Sequence, residues 1–329
     1  MNVDLDDRRL GWHGAVSVQR GDGFVQPWRI PYAQRVLFPP DLLHERAAMP
    51  AGVRLAFRSD TSFVAGQADP YPEASPIDVA VDGVVVGSAD WASSGTFRFD
   101  GLPSGWKTVE LWLPQFGAFR LRALDLSDGA RIEPFEDERP RWVTYGSSIT
   151  QCRTAASPTQ TWPAIVARER GLNLTCLGYG GQCHLDPMVA RMIRDLPADY
   201  ISICAGINVY GAASLGPRAF APALIGTVRT IREGHPDAPI ALISPIFSPP
   251  REATPNAVGF TLRAMRLEVA NVVETLRAHG DRDVHYVDGL ELFGPELAAL
   301  LPDELHPDAE GYRRLGANFL RVVAPLFAS

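Results

Sequence analysis

Lysine is almost missing from this 329-residue chain: Lys107 stands alone, and the other basic residues are arginines. No basic block with interleaved aromatics appears, which argues against nucleic acid as a partner. Cysteine is scarce as well. Cys152, Cys176, Cys183 and Cys204 contain no Cys-x-x-Cys pair and no zinc-site spacing. Cys176 and Cys204 lie in apolar runs and are expected to be small core residues. Cys183 and His184 are neighbours, but adjacent side chains point apart, so a structural role is favoured over a metal pair. No apolar run is long enough to span a bilayer, so no membrane role is expected. The first ten residues carry Asp4, Asp6, Asp7, Arg8 and Arg9 and lack the apolar run of a signal peptide. A cytoplasmic location is the expectation. Internal repeats and low-complexity tracts are also absent.

What is present fits a globular enzyme-sized chain. Hydrophobic residues make up 46% and charged residues 21%, and the net charge of −7 comes from charges mixed along the sequence. The length allows two domains. Residues 1–137 read as β. Val53–Arg58 and Ile77–Val81 alternate apolar and polar positions, the period of a half-buried strand. Asp82-Gly83 between Ile77–Val81 and Val84–Val86 is a hairpin signal. Thr96–Phe99, Thr108–Leu113 and Phe119–Leu124 continue the pattern without a convincing helix. The expectation is a β-sandwich, jelly-roll-like, with Trp12, Trp28, Trp91, Trp106 and Trp112 mostly in its core. Residues 134–141 are charged and proline-bounded, as a linker would be.

From 138 to 329 the period changes. Apolar strands near 142–146, 173–178, 200–205, 239–246 and 284–288 alternate with helices near 160–170, 187–195, 217–233, 257–279 and 308–327. Strands joined by right-handed helical crossovers give an α/β fold, a doubly wound parallel sheet in three layers.

Four stretches sit at or just beyond strand ends. Trp142–Gly146 runs into Ser147 and Ser148, which places hydroxyls at the carboxyl edge of the sheet, where such folds do their chemistry. Small hydroxyl residues there could equally cap the next helix. Gly178-Tyr179-Gly180-Gly181 follows the second strand, and glycine lets a backbone N–H approach a ligand. Asn208 follows the third strand with an amide donor independent of pH. Asp303 and His306, three apart before the last helix, can pair so that the carboxylate fixes the imidazole tautomer.

Each signal is weak alone, and their order is not. Serine, glycine, asparagine and Asp-x-x-His in succession resemble the SGNH (GDSL-type) esterase superfamily across residues 142–327. The resemblance implies a flavodoxin-like αβα catalytic domain and a serine ester hydrolase without metal or cofactor. It implies Ser148, Asp303 and His306 as the triad, and Ser148, Gly181 and Asn208 as the oxyanion hole, with Gly180 the alternative to Gly181. Members with a leading sandwich and Gly-Ser-Ser-Ile-Thr at the first block look like carbohydrate esterases. The expected substrate is therefore an ester of a carbohydrate, glycoside or small metabolite, with acyl transfer as the alternative outcome. The sequence departs from the family pattern at Ser147 (usually Asp), Cys152 (often glycine) and Val209 (often an acid).

Rival frameworks fit less well. Thr150 breaks the Gly-x-Ser-x-Gly elbow of α/β-hydrolases. His285, a possible second base, sits inside a predicted strand. A dinucleotide fingerprint starting at Gly178 would need its third glycine at Cys183. A non-catalytic glycan-binding role conflicts with competent residues at every catalytic position. Trp162, His184, Asp186 and the proline-rich run Ser244–Arg251 are candidate walls of the substrate pocket.

Overall fold

The computed structural model describes residues 1–327. Among these, the strands up to Ile132–Glu133 form two six-stranded antiparallel sheets. One runs Ser17–Gly21, Phe24–Trp28, Leu121–Leu126, Phe63–Ala68, Thr96–Asp100 across its width. The other is centred on Lys107–Trp112, flanked by Arg54–Ser59 and Ile77–Val81. Alternation decides which face is buried: in Thr96–Asp100 only Phe97 and Phe99 point inward. Leu55, Phe57, Val79 and Leu111 of one sheet share a core with Val64, Phe97, Leu121 and Leu124 of the other. Asp82 and Gly83 form the expected hairpin, both with positive φ (48° and 80°), as a two-residue turn of this hand requires. The tryptophans depart from the expected sandwich core: Trp91 lies in it and Trp12 packs half-buried against it, but Trp28 and Trp112 are buried in cores shared with the second half of the chain, and Trp106 is exposed beneath Arg58 and Arg131.

One part of this region departs from the all-β expectation. Tyr32–Leu37 forms a 3-10 turn and Asp41–Ala47 a seven-residue α-helix. The helix is too short to show a period in sequence and follows two prolines, which read as a loop. Leu43 and Ala47, with Trp28, Ile30 and Phe38, pack into a core shared with the second half of the chain, apart from the sandwich core.

That second half is a five-stranded parallel sheet ordered Asn173–Gly178, Arg141–Gly146, Tyr200–Cys204, Ile240–Ile243, Val284–Val287. Its three central strands are buried without alternation because helices cover both faces. Tyr145, Ile203, Val228, Leu242 and Val269 fill one layer, and Trp142, Trp162, Ile243, Leu315 and Phe319 the other. The chain reverses its direction of growth at the first strand, so the crevice lies at the carboxyl ends of Arg141–Gly146 and Tyr200–Cys204. No helix among the described residues is long and apolar enough to cross a membrane.

A buried ionic cluster ties the two halves together. Arg54 reaches Glu110 (3.1 Å) and Asp137 (3.3 Å), and Arg139 reaches the same two carboxylates (3.0 and 2.6 Å). Arg54 Nη2 also donates to Asn173 Oδ1 (2.6 Å), at the start of the second parallel strand. Burial alone would raise the Asp137 carboxyl, but Arg139 and Arg54 outweigh it and hold the group below its ordinary 3.8. A carboxyl depressed on folding stabilises the folded state above its unfolded pKa and loses that contribution as pH falls through the folded value. Urea midpoints are therefore expected to fall as pH drops below 3.8, and to fall less in Asp137→Asn than in wild type. Equal acid slopes in the two proteins would remove Asp137 from the account.

Candidate active site

The first strand stops at Gly146, where a Cβ would lie 2.2 Å from Thr150 Oγ1. Only glycine lets the chain turn that closely into the short helix Ser148–Gln151. Ser147 caps this helix, its Oγ accepting the Ile149 N–H (3.2 Å). Capping therefore falls to Ser147, and Ser148 is released to face the cleft. Ser148 Oγ–H donates to His306 Nε2 at 2.8 Å. His306 Nδ1–H donates to Asp303 Oδ2 at 2.6 Å. The other carboxylate oxygen accepts the backbone N–H groups of Leu305 (3.1 Å) and His306 (2.7 Å). Partial burial pushes the Asp303 carboxyl up, yet these bonds to His306 and Leu305 outweigh it and leave it below the ordinary carboxylate range. Asp303 is thus an anion at neutral pH, able to fix the imidazole and to stabilise its cation.

The turn between this pair is strained. Glu304 has φ of 59°, a left-handed conformation unusual for a residue with a side chain. Ser248 Oγ–H (2.7 Å) and Arg251 Nη1–H (3.2 Å) both donate to the Glu304 carbonyl and hold it. Ser244–Arg251, expected as a pocket wall, thus braces the Asp303–His306 turn and also borders a small apolar cavity of about 30 Å³ behind Ser147.

Ser148, Gly181 and Asn208 bring three donors to the lining of one cleft. The N–H groups of Ser148 and Gly181 have no protein partner among the described residues. Asn208 accepts the Cys183 N–H through Oδ1 (2.9 Å), which leaves its Nδ2 for the cleft. The Cys183 backbone thus orients the amide at the position where Val209 replaces an acid. The Gly180 N–H is already engaged by Gln151 Oε1 (2.9 Å), so Gly181 is the better donor of the glycine pair. These groups line an open cleft of about 790 Å³, together with Leu42, Arg46 and Phe116 from the first half of the chain. Sequence reasoning missed those three and Gln151, because no motif connects them to Ser148.

Other candidates fall outside the cleft lining. Trp162 is buried, its Nε1–H donating to the Ile149 carbonyl (2.9 Å). His184 Nε2–H donates to the Gly181 carbonyl (3.0 Å) and supports that loop from outside. Asp186 sits at the start of the helix Pro187–Asp195, and its side chain makes no capping bond there. His285 stays in the edge strand beside Arg277 Nη2 (3.1 Å). Cys152, Cys176 and Cys183 are buried; burial raises all four thiols, Cys204 to about 12, so none is a ready nucleophile. No group of His, Cys, Asp and Glu is arranged to hold a metal among the described residues.

The family model for GDSL-like lipases and acylhydrolases matches residues 144–314. The chain belongs to this family. A second family model, the N-terminal domain of SsfX3, matches residues 10–122 of this GDSL-family protein. Among solved structures, salicylyl-acyltransferase SsfX3 from a tetracycline biosynthetic pathway is 39% identical, with TM-score 0.91 over 99% of this chain and 97% of that one. A putative GDSL-like lipase from Bacteroides ovatus is 21% identical (TM-score 0.78, 98% and 96% covered). A family two carbohydrate esterase from Clostridium thermocellum is 16% identical (TM-score 0.62, 83% and 92% covered). The last two share the fold. A search of curated proteins finds no match. Family members and neighbours thus include both esterases and an acyltransferase.

Proposed function

We propose that this GDSL-family chain is a serine acyl-transfer enzyme, which takes an acyl group onto Ser148 and passes it to an alcohol acceptor. The observation that carries the reading is the hydrogen-bonded series Ser148–His306–Asp303 beside three unengaged donors. His306 takes the Ser148 proton as Oγ attacks the acyl carbonyl. Ser148 N–H, Gly181 N–H and Asn208 Nδ2 hold the oxyanion. His306 then protonates the leaving group, and later deprotonates the acceptor that releases the acyl-enzyme. The acceptor half is supported by likeness to SsfX3, which extends over the sandwich as well as the α/β unit. Leu42, Phe116 and Leu305 give the cleft apolar walls suited to a bulky or aromatic acyl group.

Hydrolysis is the second reading, because the cleft is open and Asp303 is half exposed, so water reaches the acyl-enzyme. Carbohydrate ester hydrolysis in particular has fold likeness alone behind it.

An organophosphonate probe is expected to label Ser148 stoichiometrically. Given p-nitrophenyl esters from acetate to octanoate, plus p-nitrophenyl salicylate and an alcohol acceptor, the enzyme is expected to form acceptor ester in place of free acid. If all acyl groups appear as free acid with every acceptor, the protein is a hydrolase. If Ser148 takes no label, both readings fail.

A further inference from the structure

We infer that Arg46, from the short helix in the first half of the chain, is a positioning residue for the oxyanion hole; this rests on the acyl-enzyme reading above. Its Nε–H donates to the Gly180 carbonyl at 3.2 Å. That carbonyl belongs to the same planar peptide as the Gly181 N–H, and in a trans peptide the two point in opposite directions. Holding the carbonyl towards Arg46 therefore turns the Gly181 N–H the opposite way, where it has no protein partner among the described residues, in the cleft that Gly181 shares with Ser148.

The peptide needs such a hold. It joins two glycines, and Gly181 has φ of +74°. A peptide flanked by glycines meets little steric resistance to flipping. Its neighbours are fixed independently. Gln151 Oε1 accepts the Gly180 N–H (2.9 Å), and the Gly181 carbonyl accepts from Gln182 Nε2 (2.7 Å) and His184 Nε2 (3.0 Å). Among the described residues, the 180–181 peptide itself is left to Arg46. A guanidinium has donors only, so a flipped peptide would set N–H against N–H with no acceptor between them. Arg46 thus discriminates the two orientations, and the first half of the chain completes the catalytic geometry of the second. Its own position is set by Arg29 Nη2–H on its backbone carbonyl and by packing of its guanidinium near the Phe116 ring, 6.0 Å away.

The test uses the full chain and p-nitrophenyl ester turnover. Arg46→Met is expected to lower kcat on the order of 10- to 100-fold with KM within about twofold, because a misplaced donor is lost only in the transition state. Arg46→Lys, which keeps a donor for the carbonyl, is expected to recover most of the loss. Asn208→Ala, which removes another oxyanion donor, is expected to lower kcat on the order of 10²–10³-fold. Combined with Arg46→Met it is expected to lose less than the product of the two effects, since both act on one oxyanion. A raised KM with unchanged kcat would make Arg46 a substrate contact and overturn the inference. Unchanged kinetics, or strictly multiplicative losses, would overturn it too. Should Arg46→Met fail to fold, Arg46→Lys and the cycle built on it decide: no recovery of kcat in a folded lysine variant counts against the role. Ser148 labelling of the wild type is read separately, so failure of the acyl-enzyme reading is distinguishable.

Discussion

Ser148→Ala is expected to leave a folded protein whose kcat is lower by roughly 10⁶-fold, the scale seen when a triad serine is removed. The fold should be indifferent for local reasons. Ser148 is the first residue of its helix, and the cap beside it is Ser147. Its hydroxyl bonds to His306 at the edge of an open cleft, so truncation opens no buried cavity and orphans no buried group. Ser147→Ala should invert the result. It removes the acceptor for the Ile149 N–H, a loss of about 1 kcal/mol in stability, while the nucleophile stays in place. Thermal melts and ester turnover on the two variants separate the roles. Ser148→Ala that keeps wild-type turnover would falsify the acyl-enzyme assignment. Ser147→Ala that loses all activity without losing stability would mean the two hydroxyls have been assigned the wrong way round.

The contrast between these adjacent serines shows why part of the site could be read from the chain. Asp303 and His306 meet across one turn, and the N–H of His306 returns to the Asp303 carboxylate. Spacing alone encodes that contact. The parallel sheet was legible for a similar reason, since strands such as Ile240–Ile243 are buried on both sides and must be apolar throughout. The amphipathic helix Pro187–Asp195 could be bounded to the residue because Asp186-Pro187 starts it and its apolar face repeats regularly. Arg46 meets Gly180 across 134 positions, and Ser248 meets the Glu304 carbonyl across 56. No periodicity joins such partners, and side chains that bond to backbone carbonyls leave no complementary residue type to look for. The helix Asp41–Ala47 stayed hidden because two turns bury too few side chains to make a pattern.

Arg29→Leu is expected to destabilise the protein by roughly 3–5 kcal/mol and to depress turnover in whatever remains folded. Arg29 is fully buried, and among the described residues it has no carboxylate partner and bonds only to main-chain carbonyls. Nε–H donates to Met49 (2.6 Å), Nη1–H to Cys176 (3.1 Å) and Gly178 (2.6 Å), and Nη2–H to Arg46. Burial lowers its pKa below the ordinary guanidinium value, and the ring of Tyr179 lies 5.0 Å from the guanidinium. Leucine fills much of the volume but removes these donors; the Met49 and Arg46 carbonyls keep the N–H groups of Ala51 (3.0 Å) and Met49 (3.2 Å), so the loss falls on the Cys176 and Gly178 carbonyls, and an unsatisfied buried group costs about 1–3 kcal/mol. Lysine has three donors on one atom and cannot span the same fork, so Arg29→Lys should fall between leucine and wild type. The effect should reach the active site because Gly178 ends the strand that leads into Gly180 and Gly181, while Arg46 holds that same loop from the other side. Urea denaturation reads the stability, and kcat measured well below the midpoint reads the site. A leucine variant as stable as wild type would show that the carbonyls find other donors. A destabilised variant with full kcat would show that the Gly178 end of the strand is held without Arg29.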